Sequence, residues 1–324
     1  MSNFFRTSLC EELNIEYPII QGGMAWVATG ELSGAVSAAG GLGVIGAGNA
    51  PAERISDEID KAREITDNPI AVNIMLLSPH VEDIVDLVID KDVPIVTTGA
   101  GNPGKYIDEL REAGIKVIPV VSSSALARRL TRLDITAVIA EGNEAGGHIG
   151  QLGSIALIPQ IVDKVDIPVV AAGGIADARG LLAAFNLGAE AVQMGTRFIC
   201  AEECTASEEY KKAIIGARDR DAVVTGRSTG HPVRTLKNKL THKIHKLEEK
   251  GAEQDRIEEL AQGSLRQAVK DGDIDQGSVM AGQISGMVDR ISSAEDILTE
   301  IMTEAEDMLS SQCSSYRRVK SDNG

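Results

Sequence analysis

The sequence predicts an α/β chain, a closed (β/α)8 barrel with a second, smaller and mainly helical domain, and three observations lead there. Eight short apolar runs recur between Tyr17 and Met194. Helix-like stretches separate them, the grammar of repeated βα units around a parallel sheet. After Met194 the alternation stops, and residues 207–269 turn polar, charged and helix-like. At 324 residues and 43% hydrophobic, the chain accommodates a barrel of about 250 residues and leaves a remainder.

The runs are Tyr17–Gln21, Leu42–Gly46, Ile70–Met75, Ile95–Thr98, Lys116–Val121, Ala137–Glu141, Pro168–Ala172 and Ala191–Met194. Most are continuously apolar, as strands buried on both faces are. Eight units favour closure into a TIM barrel over an open doubly wound sheet, which periodicity alone does not exclude. Helices are expected at Pro51–Thr66, Val81–Asp90, Pro103–Ala113, Ser122–Leu133 and Asp177–Leu187. Pro51 and Pro103 suit first-turn positions, Ser122 and Asp177 suit N-caps, and Gly114 and Gly188 suit stops. The expected division is a barrel over 1–203, a smaller helical domain over 204–290, and a returning helix with its tail over 291–324. Ser293 would cap that helix, with Glu295 near its start, and the tail from Ser310 has little to bury and should fray.

No apolar run approaches the roughly 20 residues that cross a bilayer, so no membrane partner is expected. Met1–Asn14 has neither a basic nor an apolar signal region, which reads as a cytoplasmic protein. Cys10, Cys200, Cys204 and Cys313 are too scattered for a disulfide framework and are expected to be free thiols. Cys200 and Cys204 lack a second ligand pair nearby, so no metal site is expected. The net charge of −16 argues against nucleic acid as the main partner. One island departs from it: Arg227, Arg234, Lys237, Lys239, Lys243 and Lys246, with His231, His242 and His245, lie between Asp221 and Glu248 with no acid among them. Such a run is usually a solvated helix face.

In a barrel of this kind the chemistry sits at the carboxyl ends of the strands, and phosphates are held after strands seven and eight. Strand seven ends in Ala171-Ala172-Gly173-Gly174-Ile175 and strand eight in Gln193-Met194-Gly195-Thr196-Arg197. Glycines there allow backbone N–H groups to approach a phosphate. Either loop alone could be ordinary turn chemistry, but the pair favours phosphate. Gln21-Gly22-Gly23-Met24 after strand one would let a flat ring lie against the backbone, with a tight turn as the plain alternative. Asn73, polar within an apolar strand, needs hydrogen-bond partners. Thr98 closes strand four, and Glu141 opens the segment that runs through Gly146 and Gly147 to His148. A lone histidine is more often structural than catalytic. Flanked by glycines at the mouth, His148 suits a proton donor or base.

From about Ile15 to about Leu309 the chain resembles the nitronate monooxygenase-like flavoprotein superfamily and, within it, the bacterial enoyl-acyl-carrier-protein reductases II. The Glu144-Ala145-Gly146-Gly147-His148 and Ala171-Ala172-Gly173-Gly174-Ile175 segments are similar to the whole superfamily, whereas Asn73-Ile74-Met75-Leu76-Leu77-Ser78 and Gly277-Ser278-Val279-Met280-Ala281-Gly282-Gln283 look like the reductase branch. Position 143 is Asn where the reductase pattern has Met. The resemblance implies FMN as cofactor and NADH or NADPH as co-substrate, with NADH favoured. It implies reduction of trans-2-enoyl thioesters on acyl carrier protein in type II fatty acid synthesis by a homodimer. His148 would be the catalytic histidine, as acid or as a group polarising the thioester carbonyl. No dinucleotide fingerprint opens a Rossmann unit, so the nicotinamide would use the same mouth. A nitronate monooxygenase, a quinone reductase and a non-enzymatic flavin protein are the alternatives. Acyl carrier proteins are acidic, so Arg234, Lys237 and Lys239 are the expected carrier-docking contacts.

Overall fold

Apolar, β-branched runs that cannot expose either face to water close on themselves, and the computed structural model, which describes residues 5–321 and side chains as far as Ser311, shows that closure. Cys313 and Met1–Phe4 lie outside the residues so described. Eight parallel strands form the barrel: Ile19–Gln21, Leu42–Gly46, Ile70–Met75, Ile95–Gly99, Lys116–Val121, Val138–Glu141, Val169–Ala172 and Ala191–Met194. Ile20 sits opposite Leu42 on one side and Gln193 on the other, which makes the seam. Four of the expected strands coincide with the observed ones at both ends.

Strand alternation divides the side chains into two sets. Ile20, Leu42, Val44, Ala71, Ile95, Ile118, Ile139 and Val170 fill the interior, while Val72, Ile74, Val96, Val138 and Val192 face the helices. The same inward parity carries on to Asn73, Thr97, Glu141 and Gln193 at the carboxyl ends. Outer helices approach closely enough that a Cβ on Gly43 would lie 1.9 Å from the Ser33 carbonyl oxygen.

Helix signals hold with small shifts. Asp177 caps Ala178–Asn186 by accepting from the N–H groups of Arg179 and Gly180, and Gly114 and Gly188 stop their helices at φ +77 and +94. Ser123, not Ser122, caps Ser124–Leu130: its backbone is extended and its hydroxyl accepts from Leu126 N–H. Pro103–Ala113 divides into a 3-10 turn at Pro103–Lys105 and a helix at Ile107–Glu112.

Beyond the eighth strand the chain builds a cap over the barrel mouth. Its helices are Glu208–Ile215, Lys239–Glu249, Gln254–Ala261 and Ser264–Asp271. It is less purely helical than the composition suggests: Ala222–Thr225 and Val233–Leu236 form an antiparallel hairpin. Each strand has only four residues, too few to show an alternating pattern in a charged segment. Gly147–His148, from the loop after barrel strand six, adds a third strand to it. Cap and barrel are stitched where the chain leaves and returns: Ala201 bridges Ser292, Glu202 N–H donates to the Ser292 carbonyl and Ser292 N–H to that of Cys200.

The closing helix is Ala294–Ser321, capped by the Ser293 hydroxyl, which accepts from Asp296 N–H at 3.0 Å. It packs against the helices Gly30–Ala38 and Ala178–Asn186, burying Ile297, Leu298 and Ile301 across the seam. The helix continues past Ser310 as far as Ser321. Among the described residues no helix is long and apolar enough to cross a membrane.

Candidate active site

A cavity of about 1310 Å³ occupies the carboxyl ends of the strands, between barrel and cap. Pockets for one small molecule run to about 1,000 Å³, so this one has room for a cofactor and a substrate together.

Its floor is built by glycine. A Cβ on Gly23 would lie 2.2 Å from Asn73 Cβ, and one on Gly22 would lie 3.1 Å from Gln193 Cδ. No larger residue fits at Gly23, and at Gly22 one would have to push the Gln193 side chain aside. Met24 follows, with its Sδ close to Gly195. Asn73 Nδ2 donates to Thr97 Oγ1 at 2.9 Å, which leaves the Asn73 Oδ1 acceptor unbonded on the cavity wall. Glu141, at the end of strand six, has no hydrogen-bonding or ionic partner for its carboxyl group among the described residues. Burial alone pushes it up to about 7.

On the opposite wall Gly173 and Gly174 take φ of +88 and +77, a left-handed turn that glycine adopts freely. Neither spends its N–H on another group among the described residues. Gly195 and Thr196 open the short helix Thr196–Ile199, and the Thr196 hydroxyl accepts from Gly282 N–H at 2.9 Å. Free N–H groups and a flat floor are what a phosphate and a ring system require.

His148 reaches the cavity from the three-stranded sheet, directly opposite Val233. Gly146 precedes it and passes so close to the 277–283 segment that a Cβ would lie 2.7 Å from the Ala281 carbonyl carbon. Desolvation and the neighbouring His231 hold the His148 imidazole below its ordinary pKa. It is therefore mainly neutral at pH 7 and able to donate through one nitrogen and accept through the other.

The nitronate monooxygenase family model matches residues 6–86 and 81–304. The chain belongs to that family. It is 36% identical to a protein named probable nitronate monooxygenase from Staphylococcus saprophyticus, over 92% of this chain and 97% of that one. Among solved structures, FabK from Thermotoga maritima shares 47% identity and a TM-score of 0.93, over 96% of this chain and 99% of that one. A nitroalkane oxidase from Streptomyces ansochromogenes shares 28% identity and a TM-score of 0.84, over 94% and 100%.

In this member of the family most residues expected at the site do line the cavity: Gly22, Gly23, Met24, Asn73, Glu141, Gly146, Gly147, His148, Gly173, Gly174, Gln193, Met194, Gly195 and Thr196. Thr98 does not. It lies on the outward parity, 2% exposed, with an unpartnered hydroxyl; the inward neighbour Thr97 holds Asn73 instead. Of the expected docking trio, Arg234 is buried while Lys237 and Lys239 are exposed. Arg234 is 3% exposed and donates to Asn143 O and Oδ1, both at 2.8 Å, and to Ala145 O at 3.1 Å. Lys237 lies 3.8 Å from Asp221, and Lys239 lies 2.6 Å from Asp275. The acids that a linear reading places outside the island fold back onto it.

Three contributors escaped the sequence reading. Tyr210, fully buried, donates to the Met280 carbonyl at 2.8 Å and seats the 277–283 segment. Met280 lines the cavity. Trp26, at φ +69, lies under the Arg54 guanidinium at 4.1 Å from the ring centroid, with Arg266 of the cap at 5.8 Å. The single tryptophan beside a diglycine was a usable signal for the last. Among the described residues no three His, Cys, Asp or Glu side chains cluster as a metal would need.

Proposed function

We propose that this chain is an FMN-dependent enoyl-acyl-carrier-protein reductase that reduces trans-2-enoyl thioesters with NADH or NADPH, NADH favoured. The observation that carries this reading is the 47% identity to FabK, an enoyl-acyl-carrier-protein reductase II, over nearly the whole of both chains, against 28% to the nitroalkane oxidase.

The residues fit the cofactor. Gly22, Gly23 and Met24 would carry the ring, with Asn73 Oδ1, Glu141 and Gln193 as polar contacts, and Gly173, Gly174, Gly195 and Thr196 would hold the phosphate. When bound, FMN supplies hydride transfer between the nicotinamide and the enoyl β-carbon. The chain supplies the rest. Neutral His148 donates a hydrogen bond to the thioester carbonyl oxygen, where negative charge builds up as the β-carbon is reduced. Its lowered pKa favours that role over a stored acid, and the α-carbon proton then comes through the same imidazole or from water. The cap screens the mouth and limits competing reactions with solvent.

A second reading, nitronate oxidation with oxygen, is favoured by the names of the 36% identical relatives. There the neutral imidazole would act as the base. Two anaerobic half-reactions separate the two readings: the reduced holoenzyme is mixed with crotonyl thioester or a quinone and flavin reoxidation is followed, and the oxidised holoenzyme is mixed with a nitronate and flavin reduction is followed. Rapid reoxidation by the thioester, with the quinone inert and no flavin reduction by the nitronate, supports the reductase, and flavin reduction by the nitronate or reoxidation by the quinone with the thioester inert overturns it. Mass spectrometry of the released cofactor should find FMN; FAD would remove the basis for both.

A further inference from the structure

We propose that Arg234 is a positioning residue for His148. The inference rests on His148 being catalytic and concerns how this chain holds it.

The segment 142–150 leaves barrel strand six, crosses the cavity rim and delivers His148. It contains three glycines before the histidine is reached, Gly142, Gly146 and Gly147, with Gly147 at φ +77. Such a segment has many conformations to lose, so a fixed imidazole needs external restraint. Arg234 provides it twice. Its backbone pairs with Gly147 in the three-stranded sheet, one residue from the His148–Val233 pair. Its guanidinium, in the same step, reaches three oxygens of the segment's first half: Asn143 O, Asn143 Oδ1 and Ala145 O.

The restraint is directional. A guanidinium is a rigid planar donor, so bonds at 2.8, 2.8 and 3.1 Å fix the orientation of the 143–145 turn as well as its distance. Asn143 then passes the constraint on: its Nδ2 donates to Gly150 O at 2.6 Å, tying the start of the segment to its end. A methionine at 143 could make neither contact. At 3% exposure Arg234 has no access to a carrier protein, and its Nε and Nη2 donors are committed to the segment that bears the histidine.

The test uses the flavin-loaded enzyme and the single-turnover reoxidation by crotonyl thioester. Arg234→Met should lower the maximal rate by about 10²-fold, the cost of displacing a reacting group by about 1 Å, with flavin content and flavin reduction by the nicotinamide little changed. Arg234→Lys should recover part of that loss. The decisive measurement is the double variant: in a His148→Ala background, Arg234→Met should cause no further loss, because the residue acts through the histidine. Losses that multiply, or an Arg234→Met enzyme with the wild-type rate, overturn the proposal. If Arg234→Met does not fold, Asn143→Ala removes one acceptor and the tie to Gly150, and the same non-additive loss is required of it. A His148→Ala enzyme with undiminished activity is a separate outcome, and it refutes the catalytic assignment before Arg234 is considered.

Discussion

The barrel mouth and the cap above it use their polar groups in opposite ways. At the mouth groups are left unspent: Asn73 Oδ1, the Glu141 carboxyl, and the N–H groups of Gly173 and Gly174. In the cap they are committed: Arg234 to three oxygens, Lys237 to Asp221, Lys239 to Asp275, and Ser228 to Glu248. Buried polar groups are normally bonded, so a cluster of unbonded ones around a large cavity marks where a ligand belongs. A buried, hydrogen-bonded charge such as Arg234 marks scaffolding, however conspicuous it is in the sequence.

The largest effect should come at the mouth. His148→Ala is expected to retain FMN and slow thioester-driven reoxidation by about 10²–10⁴-fold, as measured by stopped flow. A wild-type rate would place the histidine with the scaffolding. Next is Glu141, whose raised pKa makes a sign-definite prediction for the cofactor-free protein. The folded state holds its proton more tightly than the unfolded state, so stability is greatest below the ordinary glutamate range and falls as pH rises to about 7. Glu141→Gln should remove that slope and raise stability at pH 8 by roughly 3 kcal/mol at most, read from urea denaturation at pH 4 and pH 8. Equal slopes for the two proteins would show that the carboxyl finds a partner.

A smaller contrast separates adjacent residues. Thr97→Val strands the Asn73 amide and should cost about 1–3 kcal/mol and weaken cofactor binding. Thr98→Val replaces a buried hydroxyl that bonds nothing, so it should be neutral or stabilising by up to about 1 kcal/mol, with cofactor affinity unchanged. Thermal melts and cofactor titration check both. The smallest effect concerns the cap surface. Arg227 and Lys246 are exposed and have no ion-pair partner among the described residues, so charge reversal there should weaken an acidic carrier substrate by ~1 kcal/mol in apparent KM, a loss that salt reproduces. A small thioester should be unaffected. Reversal at Lys237 and Lys239 should do less, and the opposite ranking would break the comparison.

These contrasts explain what the sequence disclosed. Barrel strands were legible because burial on both faces leaves continuous apolar runs, and the glycine turns because no other residue fits Gly23 or Gly173. Thr98 went wrong for want of parity: one residue of offset moves a side chain from the cavity to the helices. The hairpin was hidden because its strands are short and its third member, Gly147–His148, is drawn from 74 positions before the first of them. Arg234 looked like a surface charge because its partners, Asn143 and Ala145, are some 90 residues away. Local pattern reveals what backbone periodicity imposes; long-range pairing has no local trace.

The bridge between Ala201 and Ser292 gives the cap a single doorway. Chain enters and leaves through neighbouring hydrogen-bonded residues, while the barrel seam is sealed independently by Ile19–Gln21 against Ala191–Met194 and by the closing helix. Insertions whose ends meet are tolerated because they impose no stretch on their host. The cap is thus a loop of chain whose length the barrel does not constrain, tied back to it through the Gly147–His148 strand. A longer or shorter roof would leave the glycine floor where it is, while changing what the cavity beneath it admits.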